Sequence, residues 1–182
     1  MRILPSDFRQ KFSALCKSDS DAEYLLDIVT TNVVAKGDQL IVQDQFNDSL
    51  YFLWEGRLSM FLQAGEVRIA VGEVVPGRWV GELGFIDPGP TSANVLVEEE
   101  STLLVISRDG FEKLLQQRPE ILSTLLQALS LDLAERLRET ENHVLKRAGN
   151  DEFSLSVNNE QNDSHESWFD HIAKKLHGAR GA

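Results

Sequence analysis

The part of this 182-residue chain richest in groups that could do chemistry is Pro76-Gly77-Arg78-Trp79-Val80-Gly81-Glu82-Leu83-Gly84-Phe85, followed by Pro90-Thr91-Ser92-Ala93-Asn94-Val95. It reads as a turn, a narrow approach, and a brief helix whose first N–H groups point outward. Gly81 has no Cβ and would let a ligand come close to the backbone. Free amides near Glu82 to Gly84 would make an anion-receptive end. The Glu82 carboxylate beside that end can accept a hydrogen bond from a sugar hydroxyl. Taken alone, Gly-Glu-Leu also suits an ordinary barrel corner.

Other chemistry finds no support. The four histidines, His143, His165, His171 and His177, all lie beyond the expected strands, whereas a barrel metalloenzyme needs histidines and a carboxylate pointing inward from them. His171 and His177 are six apart and do not share a helix face. There is no nucleophile elbow, Walker loop or dinucleotide-binding glycine fingerprint. Cys16 is the single cysteine, so neither an internal disulfide nor a cysteine metal cluster can form. It is expected as a small half-buried residue on an N-terminal helix. Glu98-Glu99-Glu100 reads as a solvated turn. The expectation is a non-enzyme with no catalytic residue, metal site or cofactor.

The elements that must hold the cassette follow from texture. Pro5 to Lys17 starts with a cap signal and carries Phe8, Phe12 and Leu15 at helical spacing. A second helix fits Asp21 to Val29. From Thr31 to Ser107, short β-branched or aromatic runs are separated by Gly, Asn, Asp and Pro. They are 32–35, 39–42, 49–55, 57–63, 66–74, 93–97 and 102–106, with a hairpin turn at Gln63-Ala64-Gly65-Glu66. Many short strands at regular spacing predict a jelly-roll, or double-stranded β-helix, so the fold class is mainly β with flanking helices.

Helical texture then returns. A short helix is expected over 108–117, with Phe111, Leu114 and Leu115 on one face. A long one opens at Pro119 and runs to about Arg147. Its stripe of Leu122, Leu126, Leu129, Leu133, Leu137, Thr140 and Val144, widened by Leu125 and Leu131, exceeds what one barrel contact needs. A homodimer through 119–147 is expected, against the alternative that its own domain buries the whole stripe.

The chain divides into a helical segment 1–21, a domain 22–147 that includes the long helix, and a tail 148–182. The tail is a polar linker followed by a short amphipathic pattern over 167–177, with Trp168, Phe169, Ile172 and Leu176 on one side. Ten residues cannot hold a helix alone in water, so this piece should fold back or dock on a protein partner.

Composition sets limits on all of this. With 42% apolar and 26% charged residues, the chain is a soluble globular type with enough side chain for a core. Acidic residues outnumber basic ones 29 to 18, for a net charge of -11. That field disfavours nucleic acid and anionic lipid surfaces. No apolar run approaches a membrane span and no secretory signal opens the chain, so a cytoplasmic location is expected.

From about Ala22 to Leu145 the sequence resembles the cyclic nucleotide-binding domain family. That family is the sensor module of catabolite activator-type regulators, cyclic nucleotide-gated channels and cyclic-nucleotide-dependent kinases. The resemblance rests on Lys36-Gly37-Asp38-Gln39-Leu40-Ile41, on Asp48-Ser49-Leu50-Tyr51-Phe52-Leu53-Trp54-Glu55-Gly56, on Pro76-Gly77, and on Gly81-Glu82-Leu83-Gly84. Glu135-Arg136-Leu137-Arg138-Glu139-Thr140 is similar to the hinge helix of bacterial members.

The resemblance implies a ligand site at Gly81, Glu82, Leu83, Gly84, Thr91, Ser92, Ala93, Arg136 and Thr140. In it Glu82 takes a ribose hydroxyl, and Arg136 and Thr140 approach the base. It implies cyclic AMP or cyclic GMP as the ligand, with one departure. The family's phosphate-binding arginine is Thr91 here, and no basic residue occurs from Gly81 to Val95. An unpaired, partly buried phosphate would cost about 2–5 kcal/mol, a loss of about 30-fold to several thousand-fold in affinity. Arg57, Arg68 or Arg78 is a possible substitute, and Thr91 and Ser92 could instead serve an uncharged ligand. Asp44 replaces a glycine that many relatives carry.

Two functions are therefore expected side by side. One is a regulatory ligand sensor signalling through its long helix and tail. The other is a dimerisation or protein-interaction adaptor whose pocket has degenerated. Relatives that regulate transcription follow the hinge helix with a DNA-binding module of about sixty or more residues. Here 182 − 145 leaves 37, so direct DNA binding is not expected.

Overall fold

The computed structural model describes residues 3–150, with side chains as far as 142. The tail from residue 151 on, with its 167–177 segment, lies outside the described residues. Among them, no helix is long and apolar enough to cross a membrane.

Helix α1 spans Pro5–Lys11, with Pro at its start. It stops short of the expected Lys17 because Phe12 leaves helical geometry (φ −113°, ψ 38°). The turn that follows, closed by the Cys16 amide on the Phe12 carbonyl at 2.8 Å, sends Phe12, Leu15 and Cys16 into the core. Cys16 is thus fully buried in a turn, not half-buried on a helix. Burial and the nearby Asp21 charge push its thiol up to about 12, with Arg9 and Arg118 opposing. Helix α2, Asp19–Ile28, opens with a reciprocal cap. Ser18 accepts from the Asp21 amide, and Asp21 accepts from the Ser18 amide.

Eight strands follow: β1 Thr30–Val34, β2 Gln39–Ile41, β3 Phe46–Asn47, β4 Leu50–Ala64, β5 Val67–Val74, β6 Trp79–Val80, β7 Gly89–Pro90 and β8 Asn94–Ile106. All the pairings are antiparallel. The main sheet runs β1-β8-β4-β5, with β2 also on β8 and β6 also on β4, and β3 pairs β7 separately. Helix α3 is Glu82–Ile86, between β6 and β7.

Two expected pairs of strands are in fact two long ones. β4 joins 49–55 to 57–63, and β8 joins 93–97 to 102–106 through the acidic run. Gly56 makes this possible. It sits at φ 101°, where a Cβ would fall 2.1 Å from Ser101 Oγ, and the β4–β8 register shifts on either side of it. The pair bends there without breaking. Glu98 and Glu99 are not a solvated turn: Ser59 Oγ donates to Glu98 at 2.6 Å and Arg57 pairs with Glu99 at 2.8 Å.

The core has two parts. Inside the barrel are Ile41, Leu53, Leu58, Val74, Val80, Val95, Val97 and Leu103. Under the helices, Phe8, Phe12, Phe52 and Trp79 form a chain of ring contacts at 4.4, 4.6 and 4.9 Å. Burying such side chains contributes about 1.5–3 kcal/mol each. Trp79 lies one residue from Arg78, so this cluster anchors the strand that carries the cassette.

Helix α4, Arg108–Gln117, is capped by Ser107, whose hydroxyl accepts from the Gly110 amide. Leu114 is buried on its inner face, but Leu115, expected beside it, is 54% exposed. Helix α5 is Pro119–Asn150. Ile121, Leu122, Leu125, Ala128 and Leu129 are buried against the domain itself, so the first half of the stripe serves the home core.

Candidate functional site

Where β5, β6 and α3 face α5 there is a cavity of about 450 Å³. All nine residues expected at the ligand site line it: Gly81, Glu82, Leu83, Gly84, Thr91, Ser92, Ala93, Arg136 and Thr140. The first seven come from one stretch of chain and the last two from a helix some fifty residues later. The β4–β6 pairing, Tyr51 to Val80 and Phe52 to Trp79, holds the cassette at the barrel edge.

The glycines of the cassette answer to packing. Gly81 has φ 87°, and a Cβ there would lie 2.7 Å from the Ser49 carbonyl oxygen. A Cβ on Gly84 would lie 2.2 Å from the Asn47 carbonyl oxygen. Both positions press α3 onto the β3–β4 loop, so Gly81 has a packing role beside its place in the cavity wall. Asn47 fixes that loop by donating to Ser49 O at 2.8 Å and accepting from the Tyr51 hydroxyl at 3.3 Å. Burial pushes the Tyr51 phenol up, against an opposing hydrogen bond from Ser49. At the far end of α3, Arg108 donates to the Phe85 carbonyl at 2.6 Å.

Glu82 is 5% exposed. Its Oε1 is 2.6 Å from Arg136 Nη2, while its Oε2 is buried with no hydrogen-bond partner. Arg136 also reaches Asp132 at 3.1 Å, one helical turn back, and Asp132 pairs with Arg78 at 2.5 Å. Barrel edge and α5 are therefore joined by alternating charges in the order Glu82, Arg136, Asp132, Arg78. Arg136 sits in a buried ionic network, beyond the surface role an arginine on an amphipathic helix usually has.

Thr91, the residue in place of the expected arginine, is buried. Its hydroxyl donates to Val42 O at 2.5 Å and its amide to Gln45 O at 2.8 Å. Those bonds lock the β7–β8 loop onto the segment after β2, and Asp44, at φ 62°, returns one to the Thr91 carbonyl. Asp44 thus occupies a left-handed position, the kind glycine fills most easily. Ser92 is exposed at the edge of the cavity. Thr140 is also exposed there and donates to Arg136 O at 2.8 Å within its own helix.

Of the three arginines weighed as substitutes, only Arg78 lines the cavity, and it is paired with Asp132. Arg57 is on Glu99, and Arg68 stacks on the Phe61 ring at 3.5 Å. Sequence reasoning passed over Asp132, whose signal was its position four residues before Arg136. It also passed over the apolar wall residues Met60 and Val71, and read Leu133 and Leu137, which line the cavity, only as part of the stripe for a second copy. No group of three or more potential metal ligands is found among the described residues.

Fold and site together define a class: a β-roll that closes a small-molecule cavity against its own C-terminal helix. Residues 31–118 match the family model of the cyclic nucleotide-binding domain. The chain is similar to the cyclic AMP receptor protein of Thermus thermophilus, 26% identical over 107 residues, covering 58% of this chain and 48% of that one. It is similar to a cAMP-dependent protein kinase regulatory subunit of Neurospora crassa, 30% identical over 110 residues, covering 56% and 29%. The chain thus spans less than half the length of these curated relatives. Among solved structures, a cyclic nucleotide-binding domain from Methylobacillus flagellatus shares the fold, with TM-score 0.70, 21% identity, and coverage of 84% of this chain and 87% of that one.

Proposed function

We propose that this is the sensing domain of a regulatory protein, in which a small hydroxyl-bearing ligand in the cavity changes how the second half of α5 is held. The observation that carries the reading is the buried carboxylate of Glu82, a cavity-lining residue, with one oxygen on Arg136 and the other unpartnered. An unsatisfied buried acceptor is costly, and a ligand hydroxyl would satisfy it. A ligand that competes for Glu82 also weakens the Glu82–Arg136 link, and α5 shifts population in response. The names of the Thermus and Neurospora relatives, a cyclic AMP receptor and a cAMP-dependent kinase subunit, make cyclic AMP and cyclic GMP the first probes.

The test is calorimetric titration of the full chain with both cyclic nucleotides and their parent nucleosides, paired with hydrogen exchange. Bound ligand should alter amide protection in α5 beyond Asp132. No heat and no thermal stabilisation at millimolar ligand would sink the sensor reading. Binding without any change in α5 would reduce it to a ligand store.

A second reading is a homodimer that acts as an adaptor. It is favoured by α5 itself, which runs to Asn150 while its last buried described side chain is Asp132. Leu137, in that half of the helix, is 60% exposed. A second copy would cover it. Light scattering at micromolar concentration should then show a dimer that Leu137→Glu dissociates. A monomer at every concentration removes this reading.

A further inference from the structure

The ionic groups of the cavity fall into an interior set that is already neutral and a rim that is acidic. Inside, the buried carboxylates Glu82 and Asp132 face Arg136 and Arg78, two charges against two. At the exposed edge, Glu73 and Glu139 add two carboxylates, and no third cation lines the cavity among the described residues. An anion would have to pass that rim and share Arg136, whose Nε is buried without a hydrogen-bond partner, with Glu82 and Asp132, two buried carboxylates that already draw on its charge.

The neutral donors of Thr91 are committed as well. The Thr91 hydroxyl and amide donate to Val42 and Gln45. The unpartnered buried acceptor is Glu82 Oε2, in a cavity whose wall also carries the apolar side chains of Ile41, Met60, Val74, Val80 and Val95. An acceptor in an apolar wall suits a ligand that brings its own hydroxyl donors on an apolar frame.

We propose that the cavity takes an uncharged ligand with a flat ring system and adjacent hydroxyls, of the nucleoside class, in preference to its phosphorylated counterpart. This rests on the sensor reading above, and it narrows the ligand of that site.

The experiment is titration of the full chain with adenosine, guanosine, cyclic AMP and cyclic GMP, each at about 0.05 M and about 0.5 M salt. One nucleoside should bind at least about tenfold more tightly than its cyclic phosphate, with an affinity that salt leaves unchanged. Equal or tighter binding of a cyclic nucleotide overturns the proposal and leaves the sensor reading standing. Silence from all four ligands overturns both.

Ser92→Arg supplies the second arm. It adds a cation at the exposed edge and leaves the Thr91 bonds intact. It should raise the affinity for a cyclic nucleotide relative to that for its nucleoside by about tenfold. A variant that changes both affinities alike overturns the charge argument.

Discussion

The two halves of α5 are built on different physics. From Ile121 to Leu129 the helix is held by apolar burial, in the same cluster as Phe12, Phe52 and Trp79. From Asp132 to Thr140 it is held to the barrel by ion pairs through Asp132 and Arg136, while Leu137, at the cavity wall, is left 60% exposed. Apolar burial is non-directional and responds to no small ligand. Ion pairs re-partner when a new polar group arrives. The helix is thus a fixed base with a responsive extension, and the boundary falls within one turn, between Leu129 and Asp132.

The largest expected effect tests the fixed half. Leu125→Ala should cost about 2–5 kcal/mol in urea unfolding, because a fully buried leucine leaves a cavity. Asp132→Asn tests the other half. It removes the carboxylate shared by Arg78 and Arg136, and since both arginines are partly exposed the cost should be about 1–3 kcal/mol. Hydrogen exchange should show that loss confined to α5 beyond 132. If Asp132→Asn unfolds the whole domain as Leu125→Ala does, the division of the helix is wrong.

A smaller effect comes from the ion pair at the base of the helix. Arg118, just before α5, pairs with Asp21, which also accepts from the amides of Lys17 and Ser18. Burial alone would raise the Asp21 pKa, but Arg118 and the two amides outweigh it and hold the carboxyl below its usual range. A depressed folded pKa adds stability that is complete above the unfolded value of about 3.9 and is lost as pH falls through the folded one. Thermal melts should therefore show Asp21→Asn losing its deficit relative to the parent at the acid end. A deficit unchanged down to strongly acid pH would remove the pair from the account.

The smallest effect is at Leu137. Its replacement by Ala should change unfolding by no more than about 0.5 kcal/mol in dilute protein. A deficit that grows with protein concentration would show that a second copy covers the outer half of the helix.

Much of this was legible in the residues. Pro119 announces the long helix, and Gly81-Glu82-Leu83-Gly84 announces the cavity. The short strands β3, β6 and β7 were not legible, since two residues carry no period. Nor was the continuity of β4 and β8, because Gly56 and the acidic run look like breaks until Ser101 is seen against Gly56. The stripe on α5 was visible but its use was not: periodicity shows that a face is apolar, not what covers it.

By itself the sequence determined what is written in local pattern. That covers the alternation of strands and helices, the caps, the order of the cassette, and the absence of a basic residue between Gly81 and Val95. Tertiary structure alone decided which charges meet. Arg78 and Asp132 are 54 residues apart in the chain, and Glu82 and Arg136 are equally far, yet they form one network across the cavity. The reason is physical. Propensity and capping act over a few residues, whereas an ion pair depends on distance and burial, and those exist only once the barrel has closed against α5.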